Sequence, residues 1–191
     1  MTPEEVLAFW FTAPPGSESY GRMRELWFES DLVFDEAVRS RLGAVHEAAA
    51  AGAHEGWAAS PRGSLALVIL LDQVPRNIFR GQARAYASDA KAREVAAAAI
   101  ARGHDRALLP AERMFLYLPF EHSEASADQE RALVLFAELE AFPETAGIMS
   151  TARRHAEIIS RFGRFPHRNS ALGRLTTAEE AAFLEEPDSR F

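Results

Sequence analysis

The chain has 191 residues, of which 48% are hydrophobic, and its 21 basic and 28 acidic side chains give a net charge of −7. This length and composition predict one globular domain, residues 1–191, around a single core. The negative charge argues against a nucleic-acid backbone or an anionic membrane surface as the main partner. Because cysteine is absent, disulfides, thiolate metal sites and thiol nucleophiles are excluded.

Helix signals begin at the N-terminus. A capping box at Thr2 predicts a first helix, and residues 12–21, rich in proline, glycine and serine, predict a loop. A second helix is predicted over about residues 31–51. A third begins at Ser60 and is apolar on all sides, so we expect it to be central. It should end at Val74, because a residue that precedes a proline avoids the helical region.

The next two helices lead to a second polar segment. Ser88 is predicted to cap a fourth, alanine-rich helix, and Pro110 to begin a fifth. Pro119 should interrupt the fifth helix, since an internal proline removes a backbone hydrogen bond. The interruption would fall next to the polar residues that follow.

Three further signals complete the helices. Ser126 and Gln129 have the spacing of a capping box, the apolar period predicts a helix over residues 145–162, and Thr176 with Glu179 should cap the last helix. No segment alternates as a strand does. The chain is therefore predicted to be all-α, an antiparallel array of about eight helices.

Charged side chains directly follow the most apolar segment of the chain. The run from Leu65 to Leu71 leads into Asp72 and Arg76, and charges at the edge of a core are costly unless they are paired or bind a ligand. Similar polar blocks follow the fifth and seventh helices. We predict that these blocks form a polar pocket. The candidate ligand-binding residues are Gln73, Arg76, Asn77, Arg80, His155, Arg164, His167, Arg168 and Asn169.

Two of these blocks share a pattern. Arg76 is followed by Asn77 and, four residues later, by Gly81, and Arg168 is followed in the same way by Asn169 and a glycine. Each block has the composition of a short helical turn, whose free backbone N–H groups and arginine suit a carboxylate or phosphate. The alternative is that two connecting elbows merely use similar capping chemistry.

His122 is the leading candidate for acid–base chemistry. Glu121 and Glu124 flank it, and a carboxylate can fix the tautomer of a histidine or raise its pKa, as a general base requires. Asp72 is a second acid–base candidate. The alternative is a structural network in which these groups pair with nearby arginines.

The other histidines have plainer interpretations. His155 lies on the apolar face of its helix, where a neutral histidine that donates to a neighbouring helix is the structural alternative to a ligand-binding role. His46, His54 and His104 are expected to be solvated. No metal-ligand spacing, nucleophile elbow or phosphate-binding loop occurs, so we expect neither a metal nor a cofactor.

Three polar blocks carry a family resemblance. They are residues 70–81, residues 112–124 and residues 161–169, and they resemble the signature blocks of the uncharacterised bacterial domain-of-unknown-function family 924. The similarity extends over nearly the whole chain. It implies a helical fold similar to tetratricopeptide repeats, although the usual repeat signature is not visible. It implies no activity.

Two functions remain open. The preferred one is a helical binding protein that holds an anionic small molecule or a peptide carboxylate. The alternative is an enzyme acting on a small acid or phosphate ester, with His122 transferring a proton while Arg76 and Arg168 stabilise negative charge. The start of the chain lacks a basic and apolar leader, and no apolar run is long enough for a membrane span. We therefore expect a cytoplasmic protein, and the sequence is compatible with a homo-oligomer.

Overall fold

The structure, a computed structural model, describes residues 1–12, 20, 24–28, 31–187 and 189. These residues form eight helices and no strand, so the all-α prediction is confirmed for the described part of the chain. Most of the predicted loop over residues 12–21 lies outside it. The helices are α1 Pro3–Trp10, α2 Leu32–Ala50, α3 over residues 61–78, α4 Asp89–Ala101, α5 Pro110–Glu121, α6 Ser126–Ala137, α7 Ile148–Phe162 and α8 Ala178–Phe183.

Helix α3 is the centre of the fold. Its residues 63–75 are all buried, and it packs against α1, α2, α4 and α5. Its apolar side chains from Leu65 to Leu71 all belong to the hydrophobic core, and their burial stabilises the folded state. The prediction of a central third helix is therefore confirmed. No helix in the described ranges is long and apolar enough to cross a membrane, and the likeness to tetratricopeptide repeats stays a prediction.

The prediction that α3 ends at Val74 is wrong. The segment Pro61–Val68 continues through a π-helical turn, Ile69–Gln73, into a last α-helical stretch, Val74–Ile78. The backbone N–H of Val74 bonds the carbonyl of Ile69, five residues earlier. A proline inside a helix crowds the carbonyl four residues before it. A local π turn is one of the departures from α geometry that let a helix continue past such a residue.

The π turn frees backbone carbonyls, and side chains bind them. His46 Nδ1 donates to the carbonyl of Leu70 over 2.8 Å, and the hydroxyl of Ser88 donates to the carbonyl of Leu71 over 2.5 Å. The α-helical partner of the latter carbonyl would be the N–H of residue 75, which proline lacks. Such pairing matters because an unbonded buried carbonyl destabilises the folded state.

Two expectations are corrected by these contacts. His46 is buried rather than solvated, since only 4% of its surface is exposed. Ser88 does stand at the N-cap position of α4, but its hydroxyl makes no capping bond. Both side chains satisfy the π turn instead. The sequence around His46 or Ser88 does not predict either role, because each side chain binds a carbonyl that loses its α-helical donor only at the π turn of α3.

The ends of α5 and α6 also differ from expectation. Helix α5 passes through Pro119 and ends at Glu121, so the proline does not interrupt it. The N-cap of α6 is Ala125, without a side-chain cap, rather than part of a box at Ser126. Gln129 instead donates to the carbonyls of Glu121 and Ser123, both over 2.6 Å. It thereby ties the start of α6 to the end of α5.

The last two helices begin later than predicted. Helix α7 starts at Ile148, after a 3₁₀ turn at Pro143–Thr145 and a glycine in the left-handed region, Gly147 with φ +89°. The capping box of α8 is formed by Thr177 and Glu180, one residue beyond the predicted pair. Two adjacent threonines made the sequence assignment ambiguous by one position.

We expect Ser88→Ala to destabilise the fold by about 1–3 kcal/mol, because it leaves the buried Leu71 carbonyl without a donor. Denaturant unfolding followed by far-UV circular dichroism measures the change. Ser40→Ala is the matched control, since the exposed Ser40 hydroxyl bonds a carbonyl within α2. An equal and small change in both variants would contradict the role assigned to Ser88.

Candidate functional site

Asp72, which is fully buried, pairs with the partly buried His122 near the end of the π turn. Both carboxylate oxygens of Asp72 lie 2.9 Å from His122 Nδ1, and Gln73 donates to the same carboxylate over 2.6 Å. Burial alone would raise the pKa of Asp72, but Arg76 and His122 outweigh it and hold that pKa below its usual range. Asp72 is thus ionised, and His122 Nδ1 carries the proton that it donates.

Arg76 links this pair to α4. Its guanidinium binds Asp89 with two hydrogen bonds of 2.9 Å, lies 3.3 Å from the Asp72 carboxylate and donates to the Asp72 carbonyl. The fork geometry of arginine allows such two-point binding of a carboxylate. Arg76 therefore has its charge balanced by residues of the protein.

Arg168 is held differently. Its guanidinium carbon lies 4.7 Å from the ring centre of Tyr86 and 4.4 Å from that of Phe165. Nη1 donates to the carbonyl of His122 over 3.0 Å, while Asp89, already bound to Arg76, is 3.8 Å away. Within the described residues Nε is buried and has no hydrogen-bond partner. Burial and the positive charge of Arg76 lower the pKa of Arg168 to about 10.

A buried carboxylic acid lies beside these groups. Glu121 Oε1 is 3.4 Å from Nδ1 of His155, which also donates to the carbonyl of Thr151 over 2.9 Å. Glu121 Oε2 is buried without a hydrogen-bond partner among the described residues. Burial, together with the negative charge of Asp72, raises the pKa of Glu121 to about 8. At neutral pH this group is predominantly a neutral acid.

Three imidazoles complete the site. The rings of His122 and His155 have centres 6.4 Å apart, and His167 packs near the ring of Phe165. Burial lowers the pKa of all three, to about 3 for His155 and His167, and Arg76 and Arg168 add to the effect. All three are neutral at pH 7. We call the whole set the polar cluster: Asp72, Arg76, Asp89, Glu121, His122, His155, His167 and Arg168.

Three members of the cluster, Arg76, Asp89 and His122, are partly exposed to solvent, and we call these three residues its open edge. The side chains of Arg76, Asp89 and His122 are 19%, 15% and 14% exposed, whereas Asp72 is fully buried. Because its members bind one another, the cluster is a network with an open edge rather than a large empty pocket. Two surface depressions, of about 570 and about 430 Å³, lie instead on the outer face of α7, where Arg153 and Glu157 line both.

Arg80 and Asn77 lie outside the polar cluster. Both bind Asp35 of α2, Asn77 through a hydrogen bond of 2.8 Å and Arg80 through its guanidinium. Asp35 is buried, so these contacts join α2 to the end of α3. They are contacts of a helix interface.

Arg164 and Asn169 make the same arrangement in the second block. Both bind Glu180 of α8, over 2.6 Å and 3.2 Å. In each block an asparagine and an arginine thus hold a carboxylate from another helix, and the glycine that follows adopts a left-handed φ, +72° at Gly81 and +65° at Gly173. Arg76 of the first block and Arg168 of the second enter the polar cluster.

Glu124 holds the segment that leads to His167 and Arg168 of the cluster. It binds Arg174 through two hydrogen bonds of 2.7 and 3.0 Å and accepts a third from the backbone N–H of Phe165. These contacts hold the loop that leads into the 3₁₀ turn Pro166–Arg168. Since Arg174 engages both of its oxygens, Glu124 is placed to orient that turn.

Sequence reasoning missed two members of the site. Asp89 resembles an ordinary acidic residue in the first turn of a helix, and Tyr86 an ordinary aromatic residue in a connecting turn. Both enter because the 3₁₀ turn Ala83–Tyr86 and the start of α4 return to the end of α3. No local pattern distinguishes them. The one useful signal is the charge of Arg76, which needs a carboxylate partner at the edge of the core.

The groups present favour anion or proton chemistry over metal binding. Across the described ranges, no three His, Asp or Glu side chains are grouped so that they could hold a metal ion. The cluster does combine a guanidinium that has donors to spare with an imidazole oriented by a carboxylate. Those are the elements of an anion site and of a general acid–base pair.

Comparison with known proteins places the chain in a family. The model for a family described as "Bacterial protein of unknown function (DUF924)" matches residues 6–188. The chain belongs to this family. The resemblance found in the three polar blocks is thereby confirmed. A search of the curated proteins finds no match.

A solved structure of similar sequence supports the fold. It is titled "Structure of Protein of Unknown Function ATU0120 from Agrobacterium tumefaciens", and it is 43% identical to this DUF924 chain. The alignment covers 96% of each chain with a TM-score of 0.83. The helical arrangement is therefore shared over almost the full length of the two proteins.

We expect Glu121→Gln to change how stability depends on pH. A carboxyl whose pKa is raised from 4.5 to about 8 contributes stability that is present at low pH and is lost as pH rises through the folded pKa. Between pH 6 and 8 the native chain should lose about 2 kcal/mol relative to the variant. Urea unfolding at several pH values measures this difference. Parallel curves for the two proteins would contradict a neutral Glu121.

Proposed function

We propose that this protein binds a small anion, a carboxylate or a phosphate, at the open edge of the polar cluster. The observation that supports this proposal is the state of Arg168. A guanidinium has five N–H donors, yet Arg168, with a side chain only 7% exposed, makes one hydrogen bond to the described residues. Burying charged donors without partners is costly, and a bound anion would supply them.

The neighbours of Arg168 favour an anion over a neutral ligand. The nearest carboxylate, Asp89, is already bound at two points to Arg76, so it balances Arg168 only weakly from 3.8 Å. The ring of Tyr86 lies against both guanidiniums, at 4.7 Å and 5.7 Å. A flat anionic group beside two stacked arginines is a recurrent form of carboxylate and phosphate recognition.

We expect Arg168→Lys to weaken anion binding at least about tenfold, since hydrogen bonds to a charged group are worth about 1.5–3 kcal/mol and lysine cannot reproduce the planar fork. Isothermal titration with inorganic phosphate and with acetate measures the affinity. Arg164→Lys is the matched control, because Arg164 lies in the same block but binds Glu180. No binding by the native chain, or equal affinities in the two variants, would overturn the proposal.

An acid–base enzyme is the second candidate, and the Asp72–His122 pair supports it. With Nδ1 donating to Asp72, the other ring nitrogen, Nε2, is the one that can accept a proton. A carboxylate that orients a histidine in this way is a common feature of general bases. Arg76 and Arg168 would stabilise negative charge that develops on a bound acid or phosphate ester.

If the cluster is catalytic, His122→Gln should lower turnover of a small phosphate ester or carboxylic ester by about 10²–10⁴-fold, the usual contribution of a general base. Release of 4-nitrophenol from its phosphate and acetate esters gives a direct assay. His54→Gln is the control, because His54 stacks on Trp57 away from the cluster. Turnover that survives His122→Gln unchanged would rule out this second candidate.

A further inference from the structure

We propose that anion binding at the polar cluster is coupled to the uptake of a proton by His122. This inference rests on the proposed anion site and specifies how that site is regulated. It stands on the charges that the cluster brings together. A ligand that changes the total charge of a buried group of ionisable residues also changes the proton affinity of those residues. By linkage, proton binding then changes the affinity for the ligand by the same factor.

The formal charges of the cluster sum to zero without a ligand, although Asp89 lies closer to Arg76 than to Arg168. Two carboxylates, Asp72 and Asp89, lie next to two guanidiniums, Arg76 and Arg168. Glu121 is a neutral acid, and the imidazoles are neutral. A monoanion held by Arg168 would leave one uncompensated negative charge in a site where burial strengthens electrostatic interactions. One proton from solvent, bound to an imidazole, cancels that charge.

His122 is the imidazole best placed to take the proton. Its main-chain carbonyl accepts a hydrogen bond from Arg168, so an anion bound there is close to its ring. The new proton would go to Nε2, while Nδ1 keeps its bond to Asp72. His122 would then donate from both nitrogens, to Asp72 and to the anion, and no existing hydrogen bond would break.

His155 and Glu124 are less suitable acceptors of this proton. His155 already donates from Nδ1 to the carbonyl of Thr151 and lies beside Glu121, which is itself protonated, and Glu124 is committed to Arg174. The charged and titratable groups around His122 come from five places in the fold. They are Asp72 and Arg76 of α3, Asp89 of α4, Glu121 and Glu124 at the end of α5, His155 of α7, and His167 and Arg168 of the 3₁₀ turn.

The lowered pKa of His122 has a cause that an anion removes. Burial lowers it, Asp72 raises it, and the positive charges of Arg76 and Arg168 lower it again. An anion bound between the guanidiniums and the ring opposes that repulsion, so the pKa of His122 rises in the complex. Between the pKa of His122 in the free protein and its higher pKa in the complex, affinity for the anion should then increase by up to about tenfold for each unit by which pH falls.

Calorimetric titration in buffers of different ionisation enthalpy tests the coupling directly. Acetate and sulfate are the probes, because neither titrates near neutral pH, and the native chain is titrated at pH 7 in imidazole and in Bis-Tris. We expect the apparent binding enthalpy to differ between the buffers by the value for about one proton taken up per acetate. His54→Gln should show the same difference between the buffers. His122→Gln should bind acetate more weakly, and its apparent binding enthalpy should be almost the same in both buffers.

The outcomes separate the coupling from the anion site itself. Binding whose heat is the same in both buffers leaves the proposed function standing and overturns proton uptake. Binding with uptake that persists in His122→Gln overturns the assignment to that residue. If neither probe binds, both proposals fail. Should His122→Gln not fold, the buffer dependence of the native chain still decides whether a proton is taken up, and the ring signals of His122 in NMR spectra, recorded with and without acetate, identify the site.

Discussion

The hydrogen bond from the N–H of Val74 to the carbonyl of Ile69 is the constraint around which this structure is arranged. It adds one residue to a turn of α3 within the buried part of the helix. The carbonyls that lose their α-helical donors are bound by side chains from α2 and from the start of α4. The same turn delivers Asp72 to His122. One local departure from α geometry therefore joins the core to the site.

Four arginines of the two similar blocks divide into a pair at helix interfaces and a pair in the polar cluster. Arg80 and Arg164 each share a carboxylate with an asparagine and hold two helices together. Arg76 is balanced by Asp89, whereas Arg168 is stacked between aromatic rings and bonded mainly to one carbonyl. Ion pairs of the first kind use up the capacity of a guanidinium to bind anything else. Of these four guanidiniums, that of Arg168, with one hydrogen bond, has the most donors available for a ligand.

The sequence predicts much of the fold and only part of the site. Apolar periodicity and capping residues locate eight helices, because those signals are local. It also predicts that the blocks around Arg76, His122 and Arg168 belong together. The π turn, and with it the buried roles of His46 and Ser88, could not be predicted, since proline is read as a helix end. Nor could Asp89, which enters the site through a tertiary contact alone.

The contacts at the start of α4 limit where insertions and deletions can occur in the chain. Two adjacent residues there bind α3 at separate points, Ser88 at the Leu71 carbonyl and Asp89 at the guanidinium of Arg76. An inserted or deleted residue within α4 that moves its first turn would detach both at once. The chain can therefore change length between Gly81 and Ala87 only if the loop absorbs the difference, and the first turn of α4 should tolerate substitution far better than insertion.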